Sequence, residues 1–201
     1  DKAIFGYGTT GSVSSLTNLV NNSGVIAADV SGVGTARKGL AAARYGVGLA
    51  IFGYGTTGSD SSLTNLVSSS GVVAADVTGV GTARNSLAAT GYGGDKAIFG
   101  YGRQPSVLSI TNLVTNVGVV GTDVTGVGTA RFSLAATVYG TDKAIFAYGY
   151  TTGYVSMSNL VSNSGVVAAD VTGVGSVHDG LAAAGYGGDK AIFGYGGTTP
   201  G

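Results

Sequence analysis

The chain has 201 residues, 38 of them glycine, and its ten Lys+Arg balance ten acidic residues, all Asp, at zero formal charge. That balance argues against a nucleic-acid-binding face, whose phosphate contacts need a basic surface. With 44% hydrophobic and only 10% charged residues the chain is too apolar to be disordered, and the absence of Cys excludes disulfides and thiolate metal sites.

Self-similarity dominates the sequence. The segment Asp1-Lys2-Ala3-Ile4-Phe5-Gly6-Tyr7-Gly8 recurs from Gly48, Asp95, Asp142 and Asp189, in steps of 47 residues. This gives one repeat domain of units 1–47, 48–94, 95–141 and 142–188, with a partial fifth unit at 189–201. The chain opens with Asp1 and its only methionine is Met157, as expected of a processed chain or a piece of a longer one. No segment offers the roughly 20 successive apolar residues of a membrane span.

In chain order, each unit opens with an apolar run, such as Ala97-Ile98-Phe99-Gly100-Tyr101, which reads as a strand. A loop that differs between units follows, then a second run such as Leu63-Thr64-Asn65-Leu66-Val67. Ser68-Ser69-Ser70-Gly71 turns the chain into Val72–Val77, and Thr78–Arg84 leads to the last run, Leu87–Tyr92. Gly93-Gly94-Asp95-Lys96 then joins that run to the next unit as a hairpin, since glycine takes the positive φ a tight turn needs. Glycine and β-branched residues interrupt every helical candidate, so four short strands per unit predict an all-β array. Ordering each glycine costs about 0.5–1 kcal/mol relative to alanine. Stacking of identical units must offset this. The Leu-Ala-Ala run is expected innermost, where only small side chains fit.

The stretch Arg84-Asn85-Ser86-Leu87-Ala88-Ala89-Thr90-Gly91-Tyr92-Gly93-Gly94-Asp95-Lys96-Ala97-Ile98-Phe99-Gly100-Tyr101-Gly102 resembles the Kelch pattern of an Arg, a small apolar strand, a glycine turn and a second strand ending in glycines. The chain departs from that pattern in lacking Trp and in carrying Gly-Tyr-Gly for the Gly-Gly pair. The wording of the unit is also similar to Kelch-like repeats in fibre and virion proteins of large tailed phages. The resemblance implies a β-propeller of four-stranded blades, and an extracellular or virion structural role. Counting strands gives four blades, closed by pairing the N-terminal strands with Leu181-Ala182-Ala183-Ala184. One copy of Ala-Ile-Phe-Gly-Tyr is then in surplus: redundant, a sign of a longer array, or an edge free to pair with another chain.

Few residues carry chemistry. Gly6-Tyr7-Gly8-Thr9-Thr10-Gly11 spells G-x-G-x-x-G, but strand-like residues follow where a dinucleotide site needs a helix N-terminus. The only histidine, His178, occupies the slot held by Arg37, Arg84 and Arg131 in the other units, and reads as a substituted repeat position. Asp29, Asp76, Asp123 and Asp170 fall one per unit, eight residues before that slot. They are expected to accept turn hydrogen bonds or to pair with the Arg eight residues on in the same or next unit, rather than to ring a calcium ion. The units differ most after Gly-Tyr-Gly and beside the Arg, at Lys38, Asn85, Phe132 and Asp179. Loops carry binding residues, so Arg103, Phe132, Tyr150 and Tyr154 are the binding candidates, with sugar rings as the ligand class. The expected function is a non-enzymatic structural or attachment repeat protein, without cofactor, metal or nucleic-acid partner. Its partners would be copies of itself or other virion or surface proteins. A multivalent glycan-binding propeller is the alternative.

Overall fold

A computed structural model describes residues 2–198, and all its regular structure is strand. The first sheet holds β1 (Ala3–Thr9) and β2 (Val13–Val20). The second holds β3 (Ala41–Tyr45), β4 (Leu49–Gly53) and β5 (Thr64–Val67). The third holds β6 (Ala88–Tyr92) and β7 (Lys96–Gly100) and, beyond a two-residue hairpin of β8 (Arg103–Gln104) and β9 (Ser106–Val107), β10 (Thr111–Val114). The fourth holds β11 (Ala135–Tyr139), β12 (Lys143–Ala147) and β13 (Ser158–Val161), and the fifth β14 (Ala182–Tyr186) and β15 (Lys190–Gly194).

The expected hairpin at the unit boundary forms in register four times, as in Tyr92↔Lys96, with Gly93 and Gly94 at φ +61° and +82°. The expected fourth strand, Val72–Val77, is looser. It joins β5 only through the single bridges Val67↔Val73 and Thr64↔Val77, whose registers differ by one residue. A bulge of this kind breaks a continuous ladder.

Successive sheets stack face to face, with β3, β6, β11 and β14 as neighbours along one line. This is the Leu-Ala-Ala run expected innermost. Just ahead of these strands runs a chain of backbone bonds: Ser86 N–H donates to Gly39 O (2.8 Å), Ser133 N–H to Ser86 O (2.9 Å) and Gly180 N–H to Ser133 O (2.8 Å). Units along this line therefore sit roughly 4.8 Å apart, the spacing of hydrogen-bonded strands. The third strands β5, β10 and β13 make no comparable approach to one another. There, Leu19, Leu66 and Leu113 prop against Gly71, Gly118 and Gly165 of the following sheet.

Each joint between the first four sheets is built alike. A phenylalanine of one sheet seats on a glycine of the sheet before it: Phe52 on Gly6, Phe99 on Gly53 and Phe146 on Gly100. The tyrosine after that glycine meets the same ring edge-on at 5.1–5.2 Å. An arginine closes the joint. Arg37, Arg84 and Arg131 are fully buried, each over the ring of Tyr7, Tyr54 or Tyr101 at 4.1–4.6 Å. Arg37 Nε donates to Tyr54 O (2.8 Å) and Nη2 to Asn65 Oδ1 (2.6 Å), both in the next sheet, and Arg84 repeats this with Tyr101 O and Asn112 Oδ1. Arg131 keeps the bond to Tyr148 O but directs Nη2 to Phe146 O at 3.5 Å, leaving Asn159 Oδ1 without a partner. These tyrosines have left-handed backbones, with φ of +62° to +65°. That strained conformation costs a bulky residue about 1–3 kcal/mol. In Tyr54, Tyr101 and Tyr148 the carbonyl points at the arginine.

The aspartates complete the joints, but their partner is the arginine of the preceding unit, not that of the same or next unit as expected, because the arginine reaches forward across the joint into the following sheet. Asp76 lies 3.6 Å from Arg37, and Asp170 lies 4.0 Å from Arg131. Asp76 also accepts bonds from Thr35 N–H and Oγ1 in the preceding unit and from Asn65 Nδ2 in its own. Asp123 and Asp170 repeat the pattern with Thr82 and Thr129. Among the described residues Asp29, in the first unit, accepts only from Asn18, at 2.8 Å.

The closure expected from strand counting does not form. β14 takes β15 as its partner, so the surplus copy is used inside its own hairpin, and β1 pairs only with β2. The two end sheets consequently stay open. Phe5 is 61% exposed where Phe52, Phe99 and Phe146 are buried, and Tyr195 is 93% exposed where Tyr54 and Tyr101 are buried.

Candidate functional site

The left-handed Tyr101 and the glycine after it decide where the candidate residues emerge. Gly102 has φ +100°, and a Cβ there would lie 2.8 Å from Asn85 O and 3.0 Å from Leu87 Cβ. Only glycine lets the chain pass so close to the preceding segment and then bridge Asn85 with Arg103. The same turn after Tyr148 bridges Phe132 with Tyr150, and the equivalent bridges Lys38↔Thr56 and Asp179↔Gly197 flank them. The two sets of differing positions, which lie about 18 residues apart in sequence, thereby form one row across the array.

All four binding candidates fall in this row, side by side. Arg103 Cζ lies 4.5 Å over the Phe132 ring, Phe132 lies 5.5 Å from Tyr150 with rings tilted by 56°, and Tyr150 meets Tyr154 edge-on at 5.1 Å. Polar groups border the aromatic stretch. Arg103 Nε donates to Asn85 Oδ1 (3.4 Å), Asn85 Nδ2 donates to Asp60 Oδ1 (2.6 Å), and Tyr150 Oη donates to Thr152 O (3.3 Å). Partial desolvation and the negative charge of Asp179 raise the Tyr154 hydroxyl above its ordinary value. Three half-buried aromatic rings beside an exposed guanidinium, an amide and two carboxylates can stack on an apolar ring face while bonding hydroxyl groups at its edge.

The remaining sequence candidates lie in the joints, away from the row. Desolvation pulls the guanidinium of Arg84 below its ordinary value, opposed by the neighbouring Tyr54 and Asp123. Burial pushes Tyr101 up to about 12, against the lowering effect of Arg131. His178 fills the arginine slot beside Tyr148, with ring centroids 6.0 Å apart and a buried Nδ1 that has no hydrogen-bond partner. Among the described residues, no three His, Cys, Asp or Glu side chains cluster as metal ligands would. Sequence reasoning missed Asn65, Asn112 and Asn159 as joint residues, although the repeated Asn-Leu-Val carried the signal. It also missed Asp60, marked only by its place in a loop that differs between units.

The chain matches no family model and no curated protein. No helix among the described residues is long and apolar enough to cross a membrane.

Proposed function

We propose that this chain is a non-enzymatic structural or attachment element, a stack of near-identical sheets that holds a non-repeating surface row in fixed register. One observation carries this reading: three joints keep the same Phe-on-Gly seat and arginine clamp, whereas the row changes from Lys38 to Asn85 to Phe132 to Asp179. The four-segment unit supports a blade-like, Kelch-type reading, and the separation of the two end sheets supports an open run of blades over a closed ring. The likeness to phage fibre repeats supports an extracellular or virion setting. Hydrogen exchange with equilibrium unfolding tests the scaffold. One cooperative transition with even amide protection at the three joints is expected, and independent opening of a central sheet overturns the reading.

A second reading, glycan binding, is favoured by the aromatic stretch from Arg103 to Tyr154. The aromatic side chains occupy one stretch of the row and are not repeated in each unit, so this reading has one composite site per chain. Calorimetric titration with neutral and acidic oligosaccharides should give a single saturable site that is lost in Tyr150→Ala. Flat heats throughout the panel count against it.

A further inference from the structure

Arg103 carries the only positive charge in the aromatic stretch of the row. Its repeat position holds Thr9, Thr56, Tyr150 and Gly197 in the other units, so the charge belongs to one place in the array. The side chain is exposed, yet its direction is set by its neighbours. The guanidinium lies 4.5 Å over the Phe132 ring, and Nε donates to Asn85 Oδ1 at 3.4 Å. Asn85 is itself fixed, because its Nδ2 donates to Asp60 Oδ1 (2.6 Å) and its Oδ1 also accepts from Ser86 Oγ (2.8 Å). The backbone adds a further restraint. Arg103 and Gln104 pair with Val107 and Ser106 in the β8–β9 hairpin, where the second and fourth units have only the single bridges Thr56↔Asp60 and Tyr150↔Tyr154.

Held in this way, the guanidinium keeps its outer fork unused. Nε is committed to Asn85, whereas Nη1 and Nη2 bond to none of the described residues. The ion pairs among those residues are Arg37–Asp76, Lys96–Asp95, Arg131–Asp170 and Lys190–Asp189, so no carboxylate answers Arg103. Asp60 directs its oxygen to Asn85 instead, and Asp179 lies beyond the rings, beside Tyr154. Two parallel N–H donors match a planar carboxylate. One guanidinium with two row carboxylates flanking it offsets a single negative charge, which favours a carboxylate over a phosphate monoester of nearly twice that charge. The rings continue from the same point: Phe132 lies 4.5 Å from the guanidinium and Tyr150 5.5 Å beyond Phe132, within reach of a two-ring sugar segment. We propose that the row selects acidic glycans, with Arg103 taking the sugar carboxylate while Tyr150 and Tyr154 stack on the adjoining sugar face. The inference rests on the glycan-binding reading of this row and narrows it to one ligand class. Because the fork is in place before the ligand arrives, little ordering cost opposes binding. A neutral sugar on the same rings leaves the fork to water.

The test is a glycan array that carries each acidic sugar beside its methyl ester, followed by calorimetry on the strongest binder. Esterification removes the charge and keeps the ring and its hydroxyls. The acid should bind at least about tenfold more tightly than its ester. Arg103→Gln should bring that ratio close to one, and Arg103→Lys should keep part of it, since the charge remains but the fork does not. Lys143→Gln removes the same charge from an exposed hairpin position away from the row and should leave the ratio as in wild type. A ratio that falls equally in Lys143→Gln and Arg103→Gln would reflect net charge alone and overturn the proposal. Should an Arg103 variant fail to fold, the acid-to-ester ratio of the wild-type chain still decides. Equal binding of acid and ester, or binders that are only neutral or sulfated and are lost in Tyr150→Ala, would overturn the proposal and leave the glycan reading standing. An array without any binder would overturn both.

Discussion

The Phe99 ring lies over Gly53 of the preceding sheet, its Cζ 2.7 Å from where a Gly53 Cβ would be. Gly53 lies within β4 and needs no positive φ, so the glycine is required by the ring alone. Gly53→Ala is expected to cost about 1–3 kcal/mol through overpacking, read as a lower urea midpoint at unchanged slope. The chain already holds a comparison. Ala147 stands in the equivalent place, and there the Tyr148–Phe193 pair opens to 5.7 Å, against 5.1 Å for Tyr54–Phe99.

Arg84 should be among the least replaceable residues. It is fully buried, and Arg84→Ala would strand Asn112 Oδ1 and Tyr101 O and leave Asp123 without its cation. A loss of about 3–5 kcal/mol is expected from breaking a buried charged network on one side. Arg84→Lys should fall between, because an ammonium keeps the charge but cannot reproduce the fork. The exposed Arg103→Ala should stay within about 0.5 kcal/mol of wild type. Similar losses in all three variants would refute the clamp.

Acid should loosen the joints together. Desolvation tends to raise Asp76, Asp123 and Asp170, but hydrogen bonds from Thr35, Thr82 and Thr129 and from Asn65, Asn112 and Asn159, with the arginine charges, hold all three below the ordinary 3.8. Groups with depressed folded values stabilise above their unfolded value and lose that contribution as pH falls through the folded one. Thermal midpoints should therefore hold down to about pH 4 and fall below it. Asp76→Asn should flatten part of that fall.

Alkali should act through the tyrosines. Tyr101 is raised by burial to about 12 from an ordinary value of 10.0. Between those values the unfolded chain gives up the proton while the folded chain keeps it, so stability should drop steadily over that interval. Ultraviolet titration should show Tyr101 ionising together with unfolding, and Tyr101→Phe should remove part of the drop. Ionisation of all tyrosines near the ordinary value, with the fold intact, would contradict the buried joint.

Much of this was legible in the residues. The 47-residue period, the hairpin at Gly93-Gly94 and the all-β class follow from local patterning; an Asp/Arg pairing was expected too, but with the Arg of the same or next unit, whereas the fold pairs Asp76 with Arg37 of the preceding one. The binding candidates were found as differences between units, and the fold adds that Arg103, Phe132, Tyr150 and Tyr154 are neighbours. Two things were hidden. Gly-Tyr-Gly gives no sign that its tyrosine is left-handed, nor that the tyrosine carbonyl meets an arginine 17 residues earlier, as Tyr101 O meets Arg84. The pairing at the ends was hidden by identity: Asp1–Gly8 and Asp189–Gly196 offer β14 the same partner, and a short hairpin loop is cheaper to close than the whole chain.

The hydrogen bonds linking Gly39, Ser86, Ser133 and Gly180 fix the distance between units on one side only. On the other side, Leu66 against Gly118 and Leu113 against Gly165 hold the sheets further apart. Units of this shape behave like the wedge stones of an arch: each one added contributes angle more than length. The inner rim cannot stretch without breaking main-chain bonds, so the curvature is set by the leucines on the outer rim. A bulkier side chain at Leu66 and Leu113 would tighten the arch, and a smaller one would straighten it.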